Sequence, residues 1–388
     1  MWEFTSPKSI VFGEGALEYL REIAGKRALI ITDKVIRDLG FVEKVASYIR
    51  EAGLSVEIFD EVEPEPSKET VTKCAERAGF FEPDWIVGLG GGSCIDAAKA
   101  SWALYERPDI QIDEISPLLK LGLRKKAKLM AIPTTSGTGS EVTWAIVITD
   151  AKEKRKMELA SKELVADIVI LDPQLPLTMP KKLVADTGVD ALVNALEAYI
   201  SQWRNYFSDI LAINAVQAIF KYLPRSYNNS QDKEAKENMH YAATMAGLAF
   251  SNSQICIAHA MGHALGALFK IPHGRSVAAV LTFAVGYMAR EAMERFGALA
   301  DAIGIKAETD REALEKFVQA LKRLLKDVNE PTSIRELGIS WNDFQRELDN
   351  LVERAMSSTG TIASPRVPTA EDYRRLFVYA YEGKTVDF

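Results

Sequence analysis

Over roughly the first half of the chain, apolar residues come in short runs separated by amphipathic stretches. Arg27–Asp33 (RALIITD), Ser55–Phe59, Asp84–Leu89 (DWIVGL) and Lys128–Pro133 each read as a buried strand. Gly40–Ala52, Lys68–Ala78 and about Cys94–Leu104 carry helical spacing between them. Trp144–Thr149 and Ile168–Leu171 add strands near the end of the region. This alternation predicts a parallel sheet covered by helices, with right-handed crossovers. Three prolines in Pro173–Pro180 (PQLPLTMP) then interrupt regular structure. Beyond them strand signals almost vanish. Long 3.6-period segments follow at Ala185–Trp203, Ser208–Leu223, Lys233–Ser251, Ile255–Phe269, Leu281–Ala302, Arg311–Val328, Trp341–Met356 and Ala370–Gly383. The expectation is an α/β nucleotide-type domain over residues 1–180 and an all-α domain over residues 181–388, with a site in the cleft between them.

Composition narrows the function classes. At 388 residues, two domains are affordable, because a single core stops growing near ~250–300 residues. A net charge of −7 argues against a nucleic-acid or anionic-membrane partner. No uncharged apolar stretch approaches the ~20 residues needed to span a bilayer, and the N-terminus has no signal-peptide pattern. Cys74, Cys94 and Cys256 lack metal or redox spacing, which suits a reducing compartment. A cytoplasmic protein is expected.

Candidate chemistry concentrates in Ile255–Gly274 (ICIAHAMGHALGALFKIPHG), which holds three of the four histidines. His259 and His263 are four apart and share a helix face, while His273 follows the helix-breaking Pro272 and could fold back toward them. The rest of the segment is apolar, and buried imidazoles need partners. A shared metal ion is the favoured reading, and three backbone-bonded core histidines the alternative. Asp190 and Asn194 are also four apart on one helix face, where the acid needs either a salt bridge or that same metal. His240 lies in a polar stretch and reads as structural.

Two loops offer a second kind of chemistry. Gly88-Leu89-Gly90-Gly91-Gly92-Ser93 follows a strand and opens a helix, where backbone amides and the helix terminus favour phosphate. It is neither GxGxxG nor a P-loop. Pro133–Thr143 (PTTSGTGSEVT) is a second loop dense in glycine and hydroxyls at a strand's C-terminal end, where open α/β sheets bind ligands. Asp33 ends the first of the strands and reads equally as a helix cap or as an acceptor for ribose hydroxyls.

Together these segments resemble the iron-containing (group III) alcohol dehydrogenase family, which shares its fold with dehydroquinate synthase. The resemblance runs nearly end to end: Ile10–Gly15 (IVFGEG), ITDK, GGGSxxDxxK, IPTTSGTGSEVT, GVDALxxAxEAY, HAMGHALGALFxxPHG and PTAEDYRRLF. It implies a Rossmann-like domain followed by a helical domain, a nicotinamide cofactor and a divalent metal, Fe(II) or Zn(II). Carried over by position, it implies Asp190, His259 and His273 as metal ligands, with Asn194 standing where iron-type members carry a fourth ligand, a histidine. An asparagine offers only a neutral carbonyl oxygen, so Asn194 is expected to be at most a weak contact. His263 resembles the family's non-ligating histidine, the candidate for proton relay. Asp33, Gly90, Gly91, Gly92, Ser93, Thr134, Thr135 and Thr138 match cofactor contacts, and Lys156 and Leu175 match weaker positions beside the cofactor. Glu65 stands where the family often has asparagine, and with Asp33 it points to NAD over NADP.

The resemblance implies interconversion of a short-chain alcohol and its aldehyde by hydride transfer, in a homodimer. Trp144, Phe250 and Phe269 are candidate pocket walls. The three-ligand set also resembles glycerol dehydrogenases, so a polyol substrate is the rival. A non-redox lyase on this architecture would want a basic cluster, and the ligand segments offer only Lys270 and Arg275. A metal-less binding protein has Asn194 as its only support.

Overall fold

Short β-branched runs become strands in the computed structural model, which describes residues 3–150 and 155–388. In chain order the strands are β1 (Ser9–Phe12), β2 (Arg27–Ile31), β3 (Ser55–Phe59), β4 (Trp85–Gly90), β5 (Lys128–Pro133), β6 (Ala145–Asp150), β7 (Arg155–Ala160) and β8 (Ile168–Leu171). Six of them form one parallel sheet in the order β1-β8-β5-β4-β2-β3. All six residues of β4 are buried, as a continuous apolar run in a sheet covered on both faces requires. The helices of this unit are α1 (Lys34–Asp38), α2 (Phe41–Glu51), α3 (Lys68–Phe81) and α4 (Gly92–Glu106). Strand order reverses at β2, which has β3 on one side and β4 on the other. The C-terminal ends of β2 and β4 therefore flank the switch point, where open α/β sheets take ligands.

The Trp144–Thr149 expectation holds as a strand but not as a member of the sheet. As β6 it pairs antiparallel with β7 in a separate two-stranded ribbon. Its alternating burial, with Val147 exposed between buried Ile146 and Ile148, is the pattern of a half-buried ribbon rather than of a covered sheet. β7 (RKMELA) carries two cations and an acid in six residues, which hid it from an apolar-run reading. The IVFG segment is the edge strand β1, separated from β4 by β8 and β5.

Residues Phe4–Thr178 form one compact unit and Met179–Phe388 another. The second is helical: α5 (Lys181–Ile200), α6 (Tyr206–Asn228), α7 (Lys233–Ser251), α8 (Ile257–Phe269), α9 (His273–Met288), α10 (Arg295–Ala302), α11 (Asp310–Asp327), α12 (Trp341–Ser357), α13 (Thr359–Ala363) and α14 (Ala370–Glu382). Local chemistry sets several of the starts. Asn205, Asp232, Thr309, Ser340 and Thr369 each cap the following helix through a side-chain oxygen. The expected single helix Leu281–Ala302 is instead two, with α9 starting eight residues earlier, at His273, and ending at Met288. No glycine or proline separates Met288 from Arg295, so local propensity favours continuity there and packing overrides it. In α8, Ile257, Met261 and Leu265 recur every four residues and are fully buried. Truncating Met261 to alanine would cost about 2–5 kcal/mol.

Candidate metal and cofactor sites

From Gly188 onward, helix α5 is apolar except for one buried polar stripe. Asp190, Asn194 and Glu197 lie at i, i+4 and i+7 and are 4%, 3% and 1% exposed. Burying two acids is costly unless donors satisfy them. Helices α8 and α9 supply those donors. Asp190 Oδ1 lies 3.4 Å from His259 Nε2 and 3.2 Å from His273 Nε2. One ligand atom from each of Asp190, His259 and His273 can be chosen so that all three lie within 4.8 Å of one another, as a single divalent ion requires. A carboxylate with two imidazoles is a donor set that suits Zn(II) or Fe(II) and leaves a coordination position open.

Two backbone features bring the rings there. Pro272 precedes His273 and starts α9, its φ of −52° suited to helix entry. Gly274 then lies flat against α5: a Cβ at that position would sit 2.0 Å from the Asp186 carbonyl oxygen. His273 is therefore delivered by the close approach of two backbones.

The electrostatics agree with a cation site. Burial alone would raise the Asp190 carboxyl, yet His273 and His259 hold it well below the usual carboxylate range. Burial would lower the His259 imidazole, but Glu197 and Asp190 outweigh it and raise it to about 10. Lost hydration lowers His273, outweighing its contact with Asp190.

Asn194 points its amide nitrogen toward Asp190 Oδ1 at 3.5 Å, so in this orientation it faces the carboxylate as a donor. His263 sits one turn beyond His259 and completes a cluster of three rings. Its centroid is 5.6 Å from that of His259 and 5.1 Å from that of His273. Glu197 was not among the expected site residues, although its i+7 position from Asp190 in an apolar helix was a legible signal. His240 is fully buried on α7, where lost hydration lowers it to about 4.

The N-terminal unit gathers most of the expected cofactor residues. Asp33 follows β2 and caps α1, accepting from Ile36 N at 2.9 Å, and Cys94 Sγ donates to its other oxygen at 3.2 Å. The cap reading is thus realised, at the switch point and against the glycine turn. Gly90 adopts φ +146°, and a Cβ there would sit 2.6 Å from Cys94 Sγ, so only glycine fits. Gly91 faces Thr135 and Gly92 faces Thr138 across the two loops. Thr134 Oγ1 is buried without a hydrogen-bond partner, an orphan that a bound ligand would satisfy. Beneath them, fully buried Lys99 donates to Ser140 Oγ, Thr143 Oγ1 and the carbonyls of Thr143 and Ala145. Burial lowers Lys99 to about 8. Asp96 accepts from Ser140 Oγ and Val147 N, which ties the second loop and the ribbon to α4.

Three expected residues stand apart. Lys156 pairs with Glu65 at 2.6 Å, and Glu65 N–H donates to Ser93 Oγ at 3.3 Å, so Lys156 reaches the glycine turn through Glu65. Leu175 is 1% exposed and packs in the core of its unit, which leaves its side chain no open face. Phe269 lines a surface recess with Ile271, Ile339 and Arg346, none of them in the imidazole cluster.

Comparison with known proteins identifies the family. Residues 7–173 match the iron-containing alcohol dehydrogenase family, and residues 184–381 match the Fe-containing alcohol dehydrogenase family, C-terminal. The chain is 42% identical to the NADPH-dependent butanol dehydrogenase of Clostridium saccharobutylicum over 390 residues, covering 100% of both. It is 38% identical to the bifunctional aldehyde-alcohol dehydrogenase of Escherichia coli (strain K12), covering 97% of this chain and 46% of that one. Among solved structures, a 1,3-propanediol oxidoreductase superposes with a TM-score of 0.93 at 32% identity, covering 98% of this chain and 100% of that one. Among the described residues, no helix is long and apolar enough to cross a membrane. The chain belongs to the iron-containing alcohol dehydrogenase family.

Proposed function

We propose that this chain is a metal-dependent alcohol dehydrogenase that interconverts a short-chain primary alcohol and its aldehyde with NAD(H) as preferred cofactor. The observation that carries the reading is the convergence of Asp190, His259 and His273, one carboxylate and two imidazoles with ligand atoms within 4.8 Å. When bound, a divalent ion would supply Lewis-acid polarisation of the substrate oxygen and a nicotinamide would supply the hydride carrier. The chain's own residues do the rest. Asp190, His259 and His273 would hold the ion, and a ring nitrogen of His263 takes the hydroxyl proton. The Gly90–Ser93 turn with Thr134, Thr135 and Thr138 would bind the cofactor's phosphates and orient it, and Asp33 would accept from the ribose hydroxyls. Lys156 and Leu175 contribute less, Lys156 through Glu65 and Leu175 through its backbone. Names that refer to butanol and 1,3-propanediol among the relatives support a short-chain primary alcohol over glycerol. A homodimer in the cytoplasm is the expected setting.

The experiment is reduction of butanal, glyceraldehyde and dihydroxyacetone with NADH and with NADPH, with metal analysis of the same sample. Butanal should be turned over fastest, with at least one equivalent of Zn or Fe present. Preference for dihydroxyacetone would replace this reading with a polyol dehydrogenase. Because one relative is named NADPH-dependent, the ratio of NADH to NADPH rates is the readout that tests the cofactor part of the reading. Asp33→Gly should relax an NADH preference, and wild-type use of NADPH equal to NADH would remove Asp33 from that role.

A further inference from the structure

The Glu197 carboxylate is 1% exposed and fully engaged. Its Oε2 lies 2.6 Å from His259 Nδ1 and accepts from Cys256 N at 2.7 Å, while Oε1 accepts from Ala258 N at 2.6 Å. Cys256 is the residue before α8 and provides no side-chain cap of its own. One side chain from α5 thus does two things: it satisfies orphan amides at the start of α8 and grips the first ligand-bearing imidazole on that helix.

We propose that Glu197 is a positioning residue that fixes His259 as the Nδ1–H tautomer and presents its Nε2 lone pair to the metal. This rests on the reading of Asp190, His259 and His273 as metal ligands. Only a carboxylate suits the place, because both oxygens must accept, Oε2 from the ring and the Cys256 amide and Oε1 from the Ala258 amide. A ring protonated at Nδ1 leaves Nε2 as the only nitrogen able to ligate, and Nε2 is the atom that faces Asp190. A carboxylate behind the imidazole also makes it a stronger donor. That matters in a site where asparagine stands in place of a further imidazole.

Glu197→Gln tests the proposal at constant volume. Its single amide oxygen can keep the ring and the Cys256 amide only by turning the NH2 group onto the Ala258 amide, and in the other orientation the NH2 group faces Nδ1; either way the negative charge behind the imidazole is lost. Zn(II) or Co(II) titrated against a competing chelator should bind about 10–100-fold more weakly than to wild type, the loss usual for such partners. Circular dichroism and the melting curve of the metal-free protein should remain close to wild type. Undiminished affinity in Glu197→Gln, with affinity lost in His259→Ala, would overturn the role of Glu197 and leave the metal reading standing. Wild-type affinity in His259→Ala would overturn both. A second measurement does not depend on the variant folding. In zinc-loaded wild type labelled with 15N-histidine, the NMR resonances lost in His259→Asn should be those of a ring protonated at Nδ1. Protonation at Nε2 would overturn the proposal.

Discussion

Asp186 and Asp190 are one turn apart on α5, and each belongs to a buried carboxylate grouping, yet the two groupings have opposite character. Asp190 and Glu197 are met by two imidazoles and two backbone amides. Asp186 lies against Glu330, which is 4% exposed and has no hydrogen-bond donor on either oxygen. The nearest cation, Arg275 Nη1, is 3.6 Å away. Burial, reinforced by Asp186, raises Glu330 to about 8, whereas Asp190 is lowered. Depth alone therefore does not set the charge of a buried acid. The donors around it decide, and the grouping supplied with donors is the one proposed to hold a cation.

Several measurements break or sharpen this contrast. The largest effect is expected from the ligands: Asp190→Asn, His259→Ala and His273→Ala should each release the ion, taking metal analysis from stoichiometric to background. Retention in all three would move the metal elsewhere. His263→Ala should keep the metal while kcat falls about 10²–10⁴-fold, the usual worth of general acid–base help. Metal loss in that variant would make His263 a ligand. Asn194→His adds an imidazole beside Asp190 and should tighten Fe(II) by at least about tenfold, or 1.4 kcal/mol. Equal affinity would mean that position 194 faces away from the ion.

The smallest effect belongs to the other grouping. Because the folded-state value of Glu330 is raised, the folded protein binds more protons than the unfolded chain between the ordinary carboxylate range and about pH 8. The stability it contributes is present below that range and is lost as pH rises through 8. Glu330→Gln should raise Tm by a few degrees at pH 9 and leave it nearly unchanged at pH 4. A variant that melts lower at pH 9 would mean that the Arg275 ion pair outweighs burial.

Much of this was legible in the residues. Continuous apolar runs marked β2, β4 and β5, because a sheet covered on both faces needs nothing else. The four-residue spacing of Asp190 and Asn194, and the three clustered histidines, marked the stripe of α5 and the ring cluster. What escaped depends on tertiary context. β7 is polar and gains its structure from β6, and the break after Met288 runs against local propensity. Asp33 could not be assigned from spacing because a helix cap and a ribose acceptor need the same carboxylate at the same place. Glu197 was marked by its i+7 place on the stripe of α5, but its partners are recognisable only once α8 is seen to start beside it.

The contact of Gly274 with the Asp186 carbonyl has a consequence for genetics. A methyl group there would have to displace α9 from α5, carrying His273 away from the other two proposed ligands. A screen for variants that lose their metal would therefore return Gly274→Ala alongside the proposed ligands, although glycine has no side-chain donor atom to give. Such a variant should regain binding when excess zinc is supplied, because its ligands are displaced rather than deleted, and that response would tell a misplaced ligand from a missing one.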